Sequence, residues 1–250
     1  MLSKGLFASR FSRFAYPIYE RTLARSVRKL FFADLIRHTN YFHDIRWLGN
    51  RVFQNVFDLW TVADTITEVK PGLIIESGTY QGGSALFYAT LFDLLGQGHV
   101  ITIDIQKLHD HRHPRIEFWI GDSTSQAIVD RARTAAQQNS GPVMVILDSN
   151  HAAPHVKREL DAYAPLVTPG SFILVQDGVI DTLGIFRHMR PGPLRAIREF
   201  LREHQDFEAD EKRSGRFLIT HHPSGWLRRR QLSSAEQGIS GQVAAVSSIP

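Results

Sequence analysis

Five short, nearly continuous apolar runs separated by longer amphipathic segments are the feature that most constrains the fold of this chain. The runs predict strands over residues 73–77, 99–104, 115–120, 142–148 and 171–177. Helical spacing predicts helices over residues 83–95, 124–138, 153–164 and 193–204. Strands without alternating polar positions are typical of parallel sheets that helices cover on both faces. The sequence therefore predicts an α/β fold.

Two further strand-like runs, near 206–210 and 215–221, bring the predicted sheet to seven strands and leave it mostly parallel. Residues 1–70 look helical throughout, and Pro71 and Gly72 mark a turn that ends this segment. Within this segment, four apolar residues at helical spacing predict a core or interface stripe: Phe53, Val56, Phe57 and Trp60. We therefore predict a helical extension over 1–70, a catalytic domain over 71–230 and a flexible tail over 231–250.

Composition narrows the class of protein. A chain of 250 residues that is 43% hydrophobic can bury one sizeable core. The absence of cysteine excludes disulfides, thiolate catalysis and cysteine-ligated metal sites. Because no uncharged apolar run reaches the ~18 residues of a membrane span and the start lacks a secretory apolar core, we expect a cytoplasmic protein.

The first thirty residues carry seven bases against one acid, Glu20, and aromatic and aliphatic residues lie between them. A basic amphipathic helix of this kind can rest on the inner face of an anionic membrane through residues 1–32. The same pattern fits a helix docked on its own domain or on a second subunit, so we expect a homo-oligomer. No nucleic-acid-binding motif accompanies the charge, and a nucleic acid is not expected as a partner.

Acidic and polar side chains follow each predicted strand. In a parallel sheet, ligands bind where the carboxyl ends of the strands meet. Carboxylates crowded there without partners repel one another, so folding alone does not explain them. The residues concerned are Glu76, Asp104, Asp122 with Ser123, Asp148, and Gln176 with Asp177.

The residues after the first strand read E-x-G-x-x-x-G-G, which predicts a cationic ligand and no phosphate group. Neither G-x-G-x-x-G nor G-x-x-x-x-G-K-[ST] is present. Asp104, 22 residues after Gly82, is placed to accept from ribose hydroxyls, and Asp122 is placed to accept from an adenine amino group. A ligand with a sulfonium or amine, a ribose and an adenine is S-adenosylmethionine. The candidate cofactor-binding residues are Glu76, Gly78, Thr79, Gly82, Ser84, Asp104, Asp122 and Ser123.

Two alternatives stay open at this point. Asp104 also fits a helix cap, and a nicotinamide-dependent oxidoreductase is the rival enzyme class, although the chain lacks that class's phosphate-binding glycines.

The segments "LIIESGTYQGGSALFYA", "HPRIEFWIGDSTS", "VILDSNHAAPHVKREL" and "RPGPLRAIREFL" resemble the cephalosporin hydroxylase family of class I methyltransferases, which includes rhamnosyl O-methyltransferases of glycolipid synthesis. The resemblance covers roughly residues 45–230. It implies a class I, Rossmann-like methyltransferase fold. It also implies methyl transfer to a hydroxyl, in a sugar of a glycolipid, a polysaccharide or a secondary metabolite.

The resemblance further implies a divalent cation, usually Mg²⁺, held by Asp148, Gln176 and Asp177. The family's Glu-Asp pair is Gln-Asp here, and Asn150 replaces a family aspartate in "DSNH", so one formal negative charge is missing from the predicted metal site. An amide carbonyl can still serve Mg²⁺, but we expect weaker binding. A chain that binds the cofactor without turning it over is therefore a further alternative to an active enzyme.

His151, three residues after Asp148, is the candidate general base. Asp148 is the other candidate catalytic residue. Similar catechol methyltransferases place a lysine base at this position. The ordinary pKa of histidine, about 6.5, suits proton abstraction near neutral pH. A hydrogen bond from His151 to a backbone carbonyl is the structural alternative, and His155 is the histidine with which it could exchange roles.

Overall fold

A computed structural model of the chain describes residues 10–38 and 43–231. Its centre is a seven-stranded sheet. The strands are β3 Leu73–Ser77, β4 His99–Asp104, β5 Ile116–Ile120, β6 Val143–Leu147, β7 Phe172–Val175, β8 Phe207–Ala209 and β9 Trp226–Arg229. They lie side by side in the order β5-β4-β3-β6-β7-β9-β8. Strands β3 to β7 are parallel, and β9 pairs antiparallel with both β7 and β8. The predicted seven-stranded, mostly parallel sheet is confirmed.

Helices cover both faces of this sheet. Their bounds are α1 Arg10–Thr22, α2 Ala24–His38, α3 Val56–Val69, α4 Gly83–Leu95, α5 Gln126–Gln138, α6 Ala153–Tyr163, α7 Pro193–Glu203 and α8 Glu211–Ser214. Shorter 3₁₀ segments span Ala164–Leu166, Gly178–Asp181 and Gly184–Met189. The four helices predicted after the first strand lie within two residues of α4, α5, α6 and α7.

Successive side chains of each strand point to opposite faces of the sheet, and this divides the core into two layers. In β3, Leu73 and Ile75 point into the layer with α5, α6 and α7, whereas Ile74 points into the layer with α3 and α4. All three side chains are buried because both faces are covered. Helix α3, which precedes the predicted boundary at residue 70, therefore packs in the same core as the strands.

Helix α2 docks beside this core. Phe32 of α2 is buried against Val179 and Leu183, which follow β7. The Phe32 ring also lies 4.8 Å from the ring of His221. Helix α2 therefore rests next to the carboxyl ends of the strands.

The prediction that residues 1–70 are helical throughout is wrong. A two-stranded hairpin, β1 Arg46–Trp47 and β2 Asn50–Arg51, interrupts the helices. Leu48 and Gly49 at its turn have φ values of 48° and 82°. Two successive residues with positive φ are typical of a two-residue hairpin turn and are incompatible with a helix.

The predicted apolar stripe is not in the core of the described chain. Trp60 is 62% exposed and Val56 is 46% exposed, while the buried face of α3 is formed by Leu59, Val62 and Ile66. The helix begins after Asn55, whose Oδ1 accepts from the Phe57 amide at 3.1 Å. Counting helical spacing from Phe53, which lies outside the helix, selected a face other than the core face of α3; an interface role for this stripe stays a prediction.

The strand predicted near 215–221 is also wrong. Residues 215–217 form a turn after α8, Leu218 has a φ of 69°, and the last strand is Trp226–Arg229. Asp210 starts α8 because its Oδ1 accepts from the Arg213 amide at 2.8 Å. The predicted tail lies outside the described residues from 232 onward. Within residues 10–38 and 43–231, no helix is long and apolar enough to cross a membrane.

Arg213 joins α8, α3 and the antiparallel edge of the sheet. Its guanidinium donates to Thr65 Oγ1 at 2.6 Å and to Glu68 Oε2 at 2.7 Å, and it lies 4.6 Å from the centre of the Phe172 ring. We expect Arg213→Ala to lower the free energy of unfolding by about 2 kcal/mol, because charge-assisted hydrogen bonds and ring contacts are lost together. Urea denaturation measures this difference.

Arg133→Ala is the matched control. Arg133 is 46% exposed and pairs only with Asp130 in its own helix, so its loss is expected to cost under about 0.5 kcal/mol. Equal effects of the two substitutions would contradict the role given to Arg213.

Candidate active site

The carboxyl ends of the five parallel strands open into a cleft of about 830 Å³. The chain runs from β3 outward through β4 and β5 and then returns to β6, so the cleft lies at the switch in strand order. Nine of the predicted site residues line it: Gly78, Thr79, Ser84, Asp104, Asp122, Ser123, Asp148, His151 and Asp177. Glu76, Gly82 and Gln176 are not among its lining residues.

Glu76 lies below the floor of the cleft. Its side chain is 1% exposed, and its two oxygens accept from Ser84 Oγ at 2.6 Å and from Thr102 Oγ1 at 2.5 Å. Burial raises the pKa of Glu76 to about 7, although both hydroxyl donors oppose that shift. Both oxygens of this carboxylate accept from hydroxyls of the chain itself, and the predicted contact of Glu76 with the cofactor stays a prediction.

Gly78 is the position where a side chain cannot be accommodated. Its φ is +92°, and a Cβ there would lie 2.0 Å from the carbonyl oxygen of Asp148. The ends of β3 and β6 therefore meet through backbone alone. Gly82, with a φ of +75°, immediately precedes α4 and lies against the ring of His109.

Asp104 and Asp122 present carboxylates at the far side of the cleft. Asp104 Oδ2 accepts from the Tyr80 amide at 2.8 Å. Asp122 Oδ1 accepts from the amide and the hydroxyl of Thr124, each at 2.8 Å. The hydrogen bond from the Thr124 amide is the main reason that the pKa of Asp122 lies below its usual range. Both side chains line the cleft, and each carboxylate is held in place by a backbone donor.

Asp148, His151 and Asp177 form the acidic centre of the cleft. One ligand atom from each lies within 4.8 Å of the others, and His151 Nε2 is 3.3 Å from Asp177 Oδ2. Withdrawal from water, followed by the negative charges of Asp177 and Glu76, raises the pKa of Asp148 well above its usual range. This excess of negative charge, with oxygen donors converging, fits a divalent cation.

The side-chain oxygen of the third predicted ligand, Gln176, accepts a hydrogen bond from Gln54. Gln176 is 2% exposed, and its Oε1 accepts from Gln54 Nε2 at 2.5 Å. The same nitrogen of Gln54 lies 3.0 Å from Asp148 Oδ2. Sequence reasoning missed Gln54, because 94 and 122 residues separate it from these partners and no motif marks it.

Two histidines that sequence reasoning did not select for the site lie close to Asp177. His221 and His222 are both buried, with ring nitrogens 3.7 and 3.8 Å from Asp58 Oδ2. His222 Nδ1 also accepts from the Asp177 amide at 3.1 Å. The pair therefore lies directly behind the acidic centre.

His155 is part of a separate buried network. Glu159 is fully buried, and its Oε1 accepts from Ser123 Oγ at 2.6 Å and from Ser149 Oγ at 2.7 Å. His155 Nε2 lies 3.2 Å from the Ser149 hydroxyl. This network ties the loops after β5 and β6 together, and in it the Ser123 hydroxyl donates to Glu159.

Two aromatic residues that sequence reasoning did not select as site residues also line the cleft. Phe53 and Tyr80 have φ values of 55° and 45°, and their rings meet edge to face at 4.9 Å. Left-handed conformations of bulky residues are uncommon, so the loops on this side of the cleft are held in unusual backbone shapes.

The loop before α7 is held by its own neighbours. Asp181 Oδ1 accepts from the Gly192 amide at 2.9 Å. Arg190 donates to the carbonyl oxygens of Ile180 and Leu183 at 2.8 and 2.7 Å. These contacts show a structural role for the "PGP" segment, and Arg190 is engaged by the loop itself.

A model of the rhamnosyl O-methyltransferase/CmcI family matches residues 39–230. A rhamnosyl O-methyltransferase of Mycobacterium leprae is 30% identical over 227 residues, which cover 88% of this chain and 97% of that protein. A rhamnosyl O-methyltransferase of Mycobacterium tuberculosis is 31% identical over 203 residues, which cover 77% and 83%.

Two solved structures of CmcI share the fold. The Mg–SAM structure is 21% identical with a TM-score of 0.61 and covers 76% of this chain and 78% of that chain. The SAH structure is 21% identical with a TM-score of 0.58 and covers 80% and 90%.

The buried Glu76 predicts a pH-dependent stability. The pKa of the Glu76 carboxyl is about 7 in the folded chain, whereas its ordinary value is 4.5. Between these two pH values the folded state therefore binds more protons than the unfolded state. Stability contributed by Glu76 is therefore present below pH 4.5 and is lost as the pH rises towards 7, by about 1.4 kcal/mol per pH unit. We expect that, relative to the natural chain, the free energy of unfolding of Glu76→Gln is about 2–3 kcal/mol more favourable at pH 8 than at pH 5. Urea unfolding at the two pH values measures this difference.

Glu117→Gln is the control, because the Glu117 side chain is 49% exposed on β5. Its stability relative to the natural chain should change little between the two pH values. A Glu76→Gln difference that is the same at pH 5 and pH 8 would contradict the burial argument.

Proposed function

The chain belongs to the rhamnosyl O-methyltransferase/CmcI family, and from that membership we propose that it transfers a methyl group from S-adenosylmethionine to a sugar hydroxyl. The acceptor that we propose is a glycolipid, a polysaccharide or a glycosylated secondary metabolite. The observation that carries the proposal is the acidic cleft at the switch in strand order, with carboxylates at both ends and a cluster of ligand atoms between them.

The cofactor lies, in this proposal, along the ends of β3, β4 and β5. Gly78 gives the methionine end access to the backbone, Asp104 accepts from the ribose hydroxyls, and Asp122 accepts from the adenine amino group. S-adenosylmethionine supplies the electrophilic methyl group when it is bound. Because this donor carries its own activation, the task of the protein is to orient donor and acceptor.

Asp148 and Asp177 are the residues that we propose hold a divalent cation. A bound cation supplies positive charge that favours the deprotonated form of a neighbouring hydroxyl. Mg²⁺ prefers oxygen ligands, which leaves the imidazole of His151 free to accept the proton of the acceptor hydroxyl. The contact between His151 Nε2 and Asp177 Oδ2 supports this role, because it fixes the ring at the wall of the cleft.

We also propose that α2 forms an interaction surface for a second copy of the chain. Four exposed apolar side chains, at spacings of four, three and one residues, lie on α2 and in the turn before it: Leu23, Val27, Leu30 and Phe31, which are 46–71% exposed. Exposed bases flank them at Arg21, Arg25 and Lys29. A peripheral contact of a cytoplasmic protein with an anionic membrane is the alternative that the same side chains support.

Titration calorimetry tests the cofactor assignment. We expect S-adenosylhomocysteine to bind the natural chain and to bind Asp104→Ala about 10–100-fold more weakly, because one or two hydrogen bonds to a charged group are lost. Asp148→Asn should keep the affinity for S-adenosylhomocysteine within about threefold and lose transfer of labelled methyl to methyl rhamnoside by more than about 100-fold. Asp130→Ala, on the exposed face of α5, is the control.

The rival classes give different results in the same experiment. Binding of NAD⁺ without binding of S-adenosylhomocysteine would indicate an oxidoreductase. Binding of S-adenosylhomocysteine with no methyl transfer to any glycoside or glycan would support the non-catalytic alternative.

The surface of α2 is tested by light scattering coupled to gel filtration. The natural chain should behave as an oligomer, and the double variant Leu30→Glu with Phe31→Glu should behave as a monomer, since charges replace the apolar contact. Ser26→Glu, exposed on the same helix, should leave the oligomer intact. A monomeric natural chain that sediments with anionic vesicles would support the membrane alternative instead.

A further inference from the structure

Gln54 is a buried polar side chain that reaches the acidic centre from outside the sheet. It is 6% exposed and lies in the short loop between β2 and α3. Its Nε2 is 3.0 Å from Asp148 Oδ2 and 2.5 Å from Gln176 Oε1. A primary amide has two N–H donors, so one nitrogen can serve both acceptors at once.

The loop that carries Gln54 is fixed on both sides. On its N-terminal side, the Val52 amide donates to the Ile45 carbonyl at 3.0 Å. On its C-terminal side, Asn55 caps α3 through the Phe57 amide. A side chain held in this way is placed before any ligand arrives.

The chemistry of the contact suits a carboxylate that must bind a cation. An amide donor orients Asp148 without adding a charge, whereas a lysine or arginine at the same place would compete with the cation. Gln176 in turn anchors the amide of Gln54, because its carbonyl oxygen takes the second N–H. Donors behind a metal-binding carboxylate usually change metal affinity by about 10–100-fold when they are removed.

We propose that Gln54 is a positioning residue that holds Asp148 in place for a divalent cation, and that Gln176 acts through Gln54 and is not itself a ligand. This inference rests on the proposed function, since it assumes a cation at Asp148 and Asp177. It assigns to the loop before α3 a direct part in building the acidic centre.

The test measures Mn²⁺ binding by calorimetry in the presence of saturating S-adenosylhomocysteine. Gln54→Met keeps the length of the side chain and removes both donors, so Mn²⁺ affinity should fall about 10–100-fold. The affinity for S-adenosylhomocysteine and the melting temperature should stay close to those of the natural chain. Gln205→Met, in an exposed turn, is the matched control and should change neither affinity.

The double variant separates the two roles of Gln176. If Gln176 acts through Gln54, then Gln54→Met with Gln176→Met binds Mn²⁺ about as weakly as Gln54→Met alone. A further loss in the double variant, similar to the loss in Gln176→Met alone, would identify Gln176 as an independent ligand and overturn the proposal.

The remaining outcomes are also distinct. An unchanged Mn²⁺ affinity in a folded Gln54→Met overturns the proposal directly. If Gln54→Met does not fold, Gln176→Met alone decides: a loss of about two- to fivefold supports anchoring, and a loss as large as that of Asp148→Ala contradicts it. A natural chain that binds S-adenosylhomocysteine but no Mn²⁺ contradicts the cation assumed in the proposed function and leaves the cofactor assignment standing.

Discussion

Carboxylates crowded at one edge of a sheet are the constraint on which the rest of this structure depends. Glu76 and Glu159 are buried, and Asp148 and Asp177 face the same cleft between them. Like charges at this spacing repel one another and destabilise the fold unless donors or cations offset them. Neutral side chains of serine, threonine and glutamine donate hydrogen bonds to Glu76, Glu159 and Asp148, and the two aspartates that face the cleft are those that we propose bind a cation.

Those neutral donors come from parts of the chain that lie far apart in sequence. Ser84 and Thr102 serve Glu76 from α4 and β4, and Gln54 serves Asp148 from the loop before α3. Glu76 and Asp148 are thus oriented by hydroxyls or an amide that carry no charge of their own.

The sheet and the line of acids could be predicted from the sequence because both depend on local patterns. Continuous apolar runs identify parallel strands, and the residues just after them must share one edge. The partners of Asp148 and Asp177 could not be found in this way, since Gln54 and His222 reach them only through tertiary contacts. The face of α3 was misjudged for a local reason, because Phe53 has a positive φ and stands outside the helical count.

One short stretch of chain, from Gln54 to Asp58, touches both halves of the acidic centre. Gln54 contacts Asp148, and Asp58 lies 3.8 Å from the ring of His222, whose other nitrogen accepts from the Asp177 amide. A truncated chain that started at residue 71 would retain all seven strands and lose both supports. The smallest fragment with a properly shaped centre is therefore longer than the smallest fragment with a complete sheet.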